Sequence, residues 1–173
     1  MRLRLAPLEA SDREPFLEAT RQSRHFHRPW VRPPTREADF REFVQDIGPS
    51  RRRLLLWGED QDGGQVVAGY FSLGEIVRGP LNSAYLGYWA SRSWAGRGAM
   101  SLGMRMLLRH AFRSVRLHRV EANIQPENRA SIVLARRAGF RKEGLSRRYL
   151  KIAGRWRDHE RWAMTAEDWR SGS

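Results

Sequence analysis

Tyr85-Leu86-Gly87-Tyr88-Trp89-Ala90-Ser91-Arg92-Ser93-Trp94-Ala95-Gly96-Arg97-Gly98-Ala99-Met100-Ser101 reads as an aromatic-rich strand, a short turn, and a glycine loop opening into a helix. Met100, Met104, Leu107, Leu108 and Ala111 fall at helical spacing with polar residues between them, so the helix runs to about residue 114. Two glycines flanking an arginine at a helix start leave backbone N–H groups without intrahelical partners or bulky side chains over them. The positive end of the helix dipole points the same way, which suits a phosphate. The glycines alone would equally serve a plain strand-to-helix loop.

The chain has 173 residues, enough for one domain with a proper core, and a single domain over 1–173 is expected. It is 40% hydrophobic and 29% charged, and no apolar run reaches membrane-spanning length. The start, Met1-Arg2-Leu3-Arg4-Leu5, alternates like a strand and shows no signal-peptide core. Cysteine is absent, which excludes disulfides, thiolate nucleophiles and cysteine-ligated metals and makes the cytoplasm the expected location. A net charge of +13 favours polyanions such as RNA, acidic peptides or a phosphorylated cofactor. Lys142 and Lys151 are the only lysines, however, and so strong a bias to arginine is also what genome composition produces.

Residues 2–8 read as a strand. Ser11 and Glu14 stand at capping-box spacing before a helix to about Gln22. Residues 23–34 form a proline-stiffened loop carrying His25, His27 and Trp30, and no further ligand stands near the histidines at metal-binding spacing. Thr35 is placed to cap a second helix containing Phe40, Phe43, Val44 and Ile47. Leu54–Trp57 and Val66–Phe71 form a hairpin about Asp62-Gly63-Gly64, and residues 74–83 read as irregular. Residues 119–124 form a strand parallel to 85–90 across the helical crossover. Asn128 caps a helix over 129–138 that Gly139 ends, and two antiparallel strands to about Thr165 turn near Gly154. The order is that of a mixed α/β sheet.

With these motifs in place the chain resembles the GNAT acyltransferase superfamily, and within it the RimJ/RimL group of protein N-terminal acetyltransferases. Ala95-Gly96-Arg97-Gly98-Ala99-Met100 is a partial match to the acetyl-CoA signature, departing from it at Ala95 and Met100. Asn128-Arg129-Ala130-Ser131, running on to Ala138-Gly139-Phe140, is similar to the group's Asn-x-x-Ser helix ending in Gly-Phe. Arg24-His25-Phe26 with Pro29-Trp30, Tyr85-Leu86-Gly87-Tyr88, and Gly154-Arg155-Trp156-Arg157-Asp158-His159 point to the RimJ subgroup. The resemblance implies a twisted, mostly antiparallel sheet with one parallel, splayed strand pair and about four flanking helices. It implies acetyl-CoA as co-substrate, no metal, and direct attack by a primary amine in a ternary complex.

Such a reaction needs the thioester held, the amine neutral, the oxyanion stabilised and the thiolate protonated. Backbone N–H groups over residues 96–101, from Gly96, Arg97, Gly98, Ala99, Met100 and Ser101, would cradle the pyrophosphate, with Asn128 nearby. By resemblance, the backbone of Tyr88, Trp89 and Ala90 would pair with the pantetheine arm as an added strand and supply the oxyanion donor. Core packing is the alternative for the Tyr88 and Trp89 side chains. An α-amine of pKa near 7.8 is roughly a tenth neutral at pH 7, against about one lysine in a few thousand. Leu86 stands where many relatives carry a glutamate, so the lack of a strong base fits an α-amine, with Glu75, Glu121 or water as alternatives. Ala135 replaces a common tyrosine donor; Ser131, one turn after Asn128, is then the expected proton donor, with Asn128 as its catalytic neighbour and Tyr149 in reserve. A plain helix cap at Asn128 and a surface serine at 131 are the alternative. The implied acceptor cleft lies between residues 23–34 and the last hairpin, with His25, Trp30, Trp156 and Asp158 as acceptor-binding residues. Core packing is the alternative for the two tryptophans, and a salt bridge to an arginine for Asp158.

The acceptor class these features imply is a protein N-terminus, as for a ribosomal-protein alanine. A small amine (antibiotic, polyamine or amino acid) is the alternative, disfavoured for polycations because residues 23–34 contain no carboxylate. A ribosome- or RNA-binding module without activity would use the charge but leave the glycine loop and the Asn128/Ser131 pair unexplained.

Overall fold

A computed structural model describes residues 2–172; Met1 of the alternating start and the last residue of the 1–173 unit lie outside the described residues. Seven strands form one sheet in the order β1-β2-β3-β4-β5-β7-β6. They are β1 (Leu3–Pro7), β2 (Arg52–Glu59), β3 (Gln65–Val77), β4 (Ser83–Ala90), β5 (Arg119–Ile124), β6 (Arg141–Ile152) and β7 (Arg155–Thr165). All neighbours are antiparallel except β4 and β5. That parallel pair registers only at Ser83–Arg119, Ala84–Val120 and Tyr85–Glu121. Beyond Tyr85 the two strands part, and the β5-side edge of β4 over residues 86–90 is left without a partner strand. The sequence-based expectation of parallel neighbours around a splay holds.

Helices cover both faces. On one lie α1 (Arg13–Gln22) and α3 (Glu37–Gln45), whose Phe16, Leu17 and Phe40 pack against Leu55, Trp57, Val67 and Tyr70. On the other lies α4 (Ala99–Arg109), continued by a π turn over His110–Ser114, with Met104 and Leu107 against Leu54, Leu56, Ala68 and Phe71. The Leu54–Trp57 run is therefore apolar without alternation because both its faces are buried. A fully buried side chain such as Phe16 contributes about 1.5–3 kcal/mol relative to exposure. Helix α4 approaches the sheet closely at Gly103: a Cβ there would sit 2.7 Å from the Phe71 ring and 2.8 Å from Leu56.

Several local expectations shift. The first helical turn is capped two residues earlier than Ser11/Glu14: Asp12 accepts from the Glu9 N–H at 2.8 Å, and α1 starts at Arg13. Thr35 does not cap α3. Its carbonyl accepts from Arg21 at 2.9 Å, and Arg36 is the N-cap, paired with Asp39. The loop at 23–34 contains a one-turn helix, α2 (Arg24–His27), and the segment after residue 74 remains in β3 past an irregularity at Glu75. Asn128 caps α5 (Arg129–Arg137) as expected, accepting from the Ser131 N–H at 3.2 Å. A six-residue helix, α6 (Ala166–Ser171), follows β7, so two short helices join the four longer ones. Its sequence signal was the pair Thr165 and Asp168, which close a capping box. No described helix is long and apolar enough to cross a membrane.

Candidate active site

Where β4 and β5 part, two cavities of about 410 and 400 Å³ meet. The first runs from the splay to the N-terminus of α4 and is lined by Ala90, Gly96, Gly98, Met100, Ser101 and the α5 residues Ala130, Ser131 and Arg137, among others. The second lies between β3, the splay and the β6–β7 hairpin, and is lined by Arg51, Arg53, Glu75, Tyr85, Asn123, Tyr149 and His159. Trp30, Val31, Tyr88, Asn128 and Ser131 belong to both. The passage between them is thus framed by β4, the α5 cap and the 23–34 segment.

The first cavity fits a phosphorylated thioester carrier. Gly96 and Gly98 have φ of 75° and 80°, and nothing lies within 4 Å of where a Cβ would stand on either. That is open space beside free amides at the start of an eleven-residue helix. No carboxylate lines this cavity, while Arg137 does. Arg97 faces away, lining a separate surface hollow with Glu18, Asp60 and Asp62, and Ala99 is buried beneath the loop. Of the expected cofactor residues, Ala99 offers only its backbone, while the amides of Arg97 and Ser101 are taken by the carbonyls of Trp94 at 3.4 Å and Gly98 at 3.1 Å.

Tyr88 and Trp89 have different surroundings. Trp89 is buried, stacked on Tyr70 at 5.5 Å and packed against His27 at 4.9 Å. The Tyr88 hydroxyl donates to the Ser131 carbonyl at 3.2 Å, and burial pushes its pKa up to about 12. It is a tether that remains protonated at neutral pH. Ser131 lines both cavities where they join. Tyr149 lines the second cavity only, 3.3 Å hydroxyl to hydroxyl from Tyr85, with the Arg161 guanidinium 4.8 Å from its ring centroid.

The second cavity has a fixed charge arrangement. Arg53 is 7% exposed, paired with Asp46 and lying 3.5 Å over the Phe43 ring. Arg51 joins Asp46 and donates to Glu75 at 2.7 Å. Two guanidiniums and one carboxylate therefore line the space, and that carboxylate is already engaged. Glu121 lies outside it, held by Arg119 and Arg161; burial opposes its ionisation, but the two arginines prevail and keep its carboxyl below the ordinary range.

Three expected acceptor residues lie elsewhere. His25 is exposed and lines neither cavity, whereas His27, one position from Phe26 on the inner side of α2, is buried and sits 2.9 Å from the Ala90 carbonyl. Trp156 is 60% exposed near the tip of the β6–β7 hairpin. Asp158 accepts from the Arg148 N–H at 2.8 Å, bridging an irregularity in β6. Trp30 does line both cavities. His27, His159, Asn123, Arg51 and Arg53 were not legible as site residues, since only burial separates them from their neighbours. Among the described residues no group of three acidic, histidine or cysteine side chains is placed to hold a metal.

The acetyltransferase (GNAT) domain family matches residues 2–141. The chain belongs to this family, whose members use acetyl-CoA as co-substrate. It is similar to RimJ of Mycobacterium smegmatis in complex with CoA-disulfide, at 30% identity and TM-score 0.84 over 96% of this chain and 83% of that one. It is 39% identical over 106 residues to the [Ribosomal protein uS5]-alanine N-acetyltransferase of Escherichia coli, 61% of this chain and 55% of that protein. The chain spans about half the length of the curated relatives it matches. Spermidine N-acetyltransferase from Vibrio cholerae, crystallised with CoA and spermine, shares the fold at TM-score 0.80 and 22% identity over 97% and 98% of the two chains.

Proposed function

We propose that this protein transfers acetyl from acetyl-CoA to the N-terminal α-amine of a protein, in the manner of the ribosomal-protein-alanine acetyltransferases it resembles. The observation that carries this reading is the charge lining the second cavity: Arg51 and Arg53 against Glu75 alone, with Glu75 bridged to Arg51. A polyamine carries several positive charges and needs unpaired carboxylates to offset its desolvation. An α-amine carries one charge and sheds it near pH 7.8. The acceptor alanine of the relatives supports a small first residue, and a ribosomal protein would place the reaction in the cytoplasm.

Acetyl-CoA supplies the activated acetyl group. The amides of Gly96, Gly98, Ala99 and Met100 and the Arg137 guanidinium bind its phosphates, and the free edge of β4 at Tyr88 to Ala90 receives its pantetheine arm. A β4 N–H offers the oxyanion donor, and the Ser131 hydroxyl returns a proton to the departing thiolate. The test is a panel of peptides differing in their first two residues, run beside spermidine and aminoglycosides, with products located by mass spectrometry. Nα-acetylation of an alanine peptide at the highest kcat/KM is expected. Faster acetylation of spermidine, or acetyl-lysine as the main product, would overturn the reading.

A further inference from the structure

About nine-tenths of an α-amine still carries its extra proton at pH 7, and the second cavity holds one group suited to take it. His159 on β7 is 3% exposed and lines that cavity. Its Nδ1 stands 3.0 Å from the Arg157 carbonyl, an acceptor, so Nδ1 carries the hydrogen and Nε2 the lone pair. Among the described residues nothing bonds Nε2, and that atom is not among the buried unpartnered ones. His27 is the opposite case: its Nε2 is at the Ala90 carbonyl and its Nδ1 is sealed.

The other groups around the cavity are less suited. Glu75 is held by Arg51, Tyr85 and Tyr149 are bonded to each other, and Arg53 is a cation. The groups facing His159 are Tyr149 from β6, 6.1 Å ring to ring, Asp158 on its own strand and Glu127 before α5, with Arg51, Arg53, Glu75 and Tyr85 elsewhere in the cavity lining. Burial outweighs the two nearby carboxylates and lowers its pKa below the ordinary histidine value, so the ring is neutral at physiological pH.

We propose that His159 Nε2 is the general base that deprotonates the acceptor ammonium. The inference rests on acetyl transfer occurring in this cavity, as proposed above, but not on which amine enters. One N–H bond of the ammonium breaks and an Nε2–H bond forms. The freed lone pair attacks the thioester carbonyl carbon, the C–N bond forms and the C–S bond breaks. A second nitrogen proton reaches the thiolate through Ser131, and the proton on His159 leaves to solvent through the open cavity.

The test is His159→Asn, whose amide keeps a donor at the Nδ1 position for the Arg157 carbonyl and removes Nε2. kcat/KM is followed from pH 5.5 to 9.5 with an alanine-terminated peptide, beside melting temperature and acetyl-CoA affinity by calorimetry. The expected loss is about 10–100-fold at pH 6.5, at the lower end of general-base effects because the amine is itself partly neutral. The acid limb should move from below about 6.5 to the amine's own ionisation near 7.8, and the deficit should close by pH 9.5. Unchanged kinetics, or a loss equal at every pH, would overturn the assignment. Should the variant melt early, the wild-type acid limb decides, and one lying at the amine's pKa overturns it. If only spermidine reacts, the α-amine reading fails and the same limb is read on spermidine.

Discussion

The Tyr88 hydroxyl reaches the Ser131 main-chain carbonyl at 3.2 Å, tying the free edge of β4 to the first turn of α5 where the two cavities join. The bond crosses between two elements that both line the passage, so it tethers one wall to the other. Tyr88→Phe removes it and should cost about 0.5–1.5 kcal/mol, a fall in Tm of roughly 2–4 °C per kcal/mol at this size. The KM for acetyl-CoA should rise with it. Differential scanning calorimetry and initial rates check both.

Ser131 plays two separable parts. Its N–H is bonded to Asn128 and its carbonyl to Tyr88, both through the backbone. Ser131→Ala therefore keeps the fold and loses only the hydroxyl. A fall in kcat of about 10–100-fold is expected, with the melting temperature within a degree of wild type, since a thiolate of ordinary pKa needs only modest acid help. Steady-state kinetics beside a melt tests this.

Gly98 and Gly103 separate binding from stability. At Gly98 a Cβ meets open space but the backbone is left-handed, so Gly98→Ala costs about 1–2 kcal/mol in strain and places a methyl group beside the loop amides proposed to hold the phosphates. Acetyl-CoA affinity should fall there by calorimetry. At Gly103 the Cβ would strike Phe71 and Leu56, so Gly103→Ala should cost about 1–3 kcal/mol by denaturant titration. Affinity should hold, because that face of α4 points to the sheet.

Stability should decline on the acid side in two stages. Burial lowers the pKa of His27, His110 and His159. The unfolded chain then binds more protons than the native one from about pH 6.5 down to the native values, so their contribution is intact above about 6.5 and lost as pH falls below it. Asp46 and Glu143, held below the ordinary carboxyl range chiefly by hydrogen bonds from Arg51 and Arg119, contribute above the unfolded carboxyl range and lose that contribution only at lower pH. Melting temperature against pH should show the first decline below 6.5. His27→Gln, keeping a donor for Ala90, should remove part of it.

Much of the site's frame was readable along the chain. The strand to Ala90, the loop at Gly96 and Gly98, the Asn128 cap and the turn near Gly154 all depend on neighbours within a few residues. The acceptor side did not read so well. His25 and His27 are two positions apart in one histidine-rich segment, and their opposite exposures arise from a single turn of helix that the prolines on its C-terminal side obscured. Trp156 and Asp158 share the hairpin with His159, but the irregular pairing between Ser146 and Leu150 decides which side chains face the cavity. Arg51 and Arg53 stand in the run Arg51-Arg52-Arg53, where nothing in the order of residues singles them out. Their role depends on Asp46 and Glu75, brought together from α3's end and β3.

By itself, then, the amino-acid order determined the mixed sheet, its parallel pair and the glycine loop that opens α4, because periodicity, caps and glycine conformations act over one or two turns of chain. The tertiary structure alone decided which polar groups enter the acceptor cavity and which nitrogen of His159 is free. Those properties depend on where distant strands diverge, and on which partners burial leaves to each group once they do.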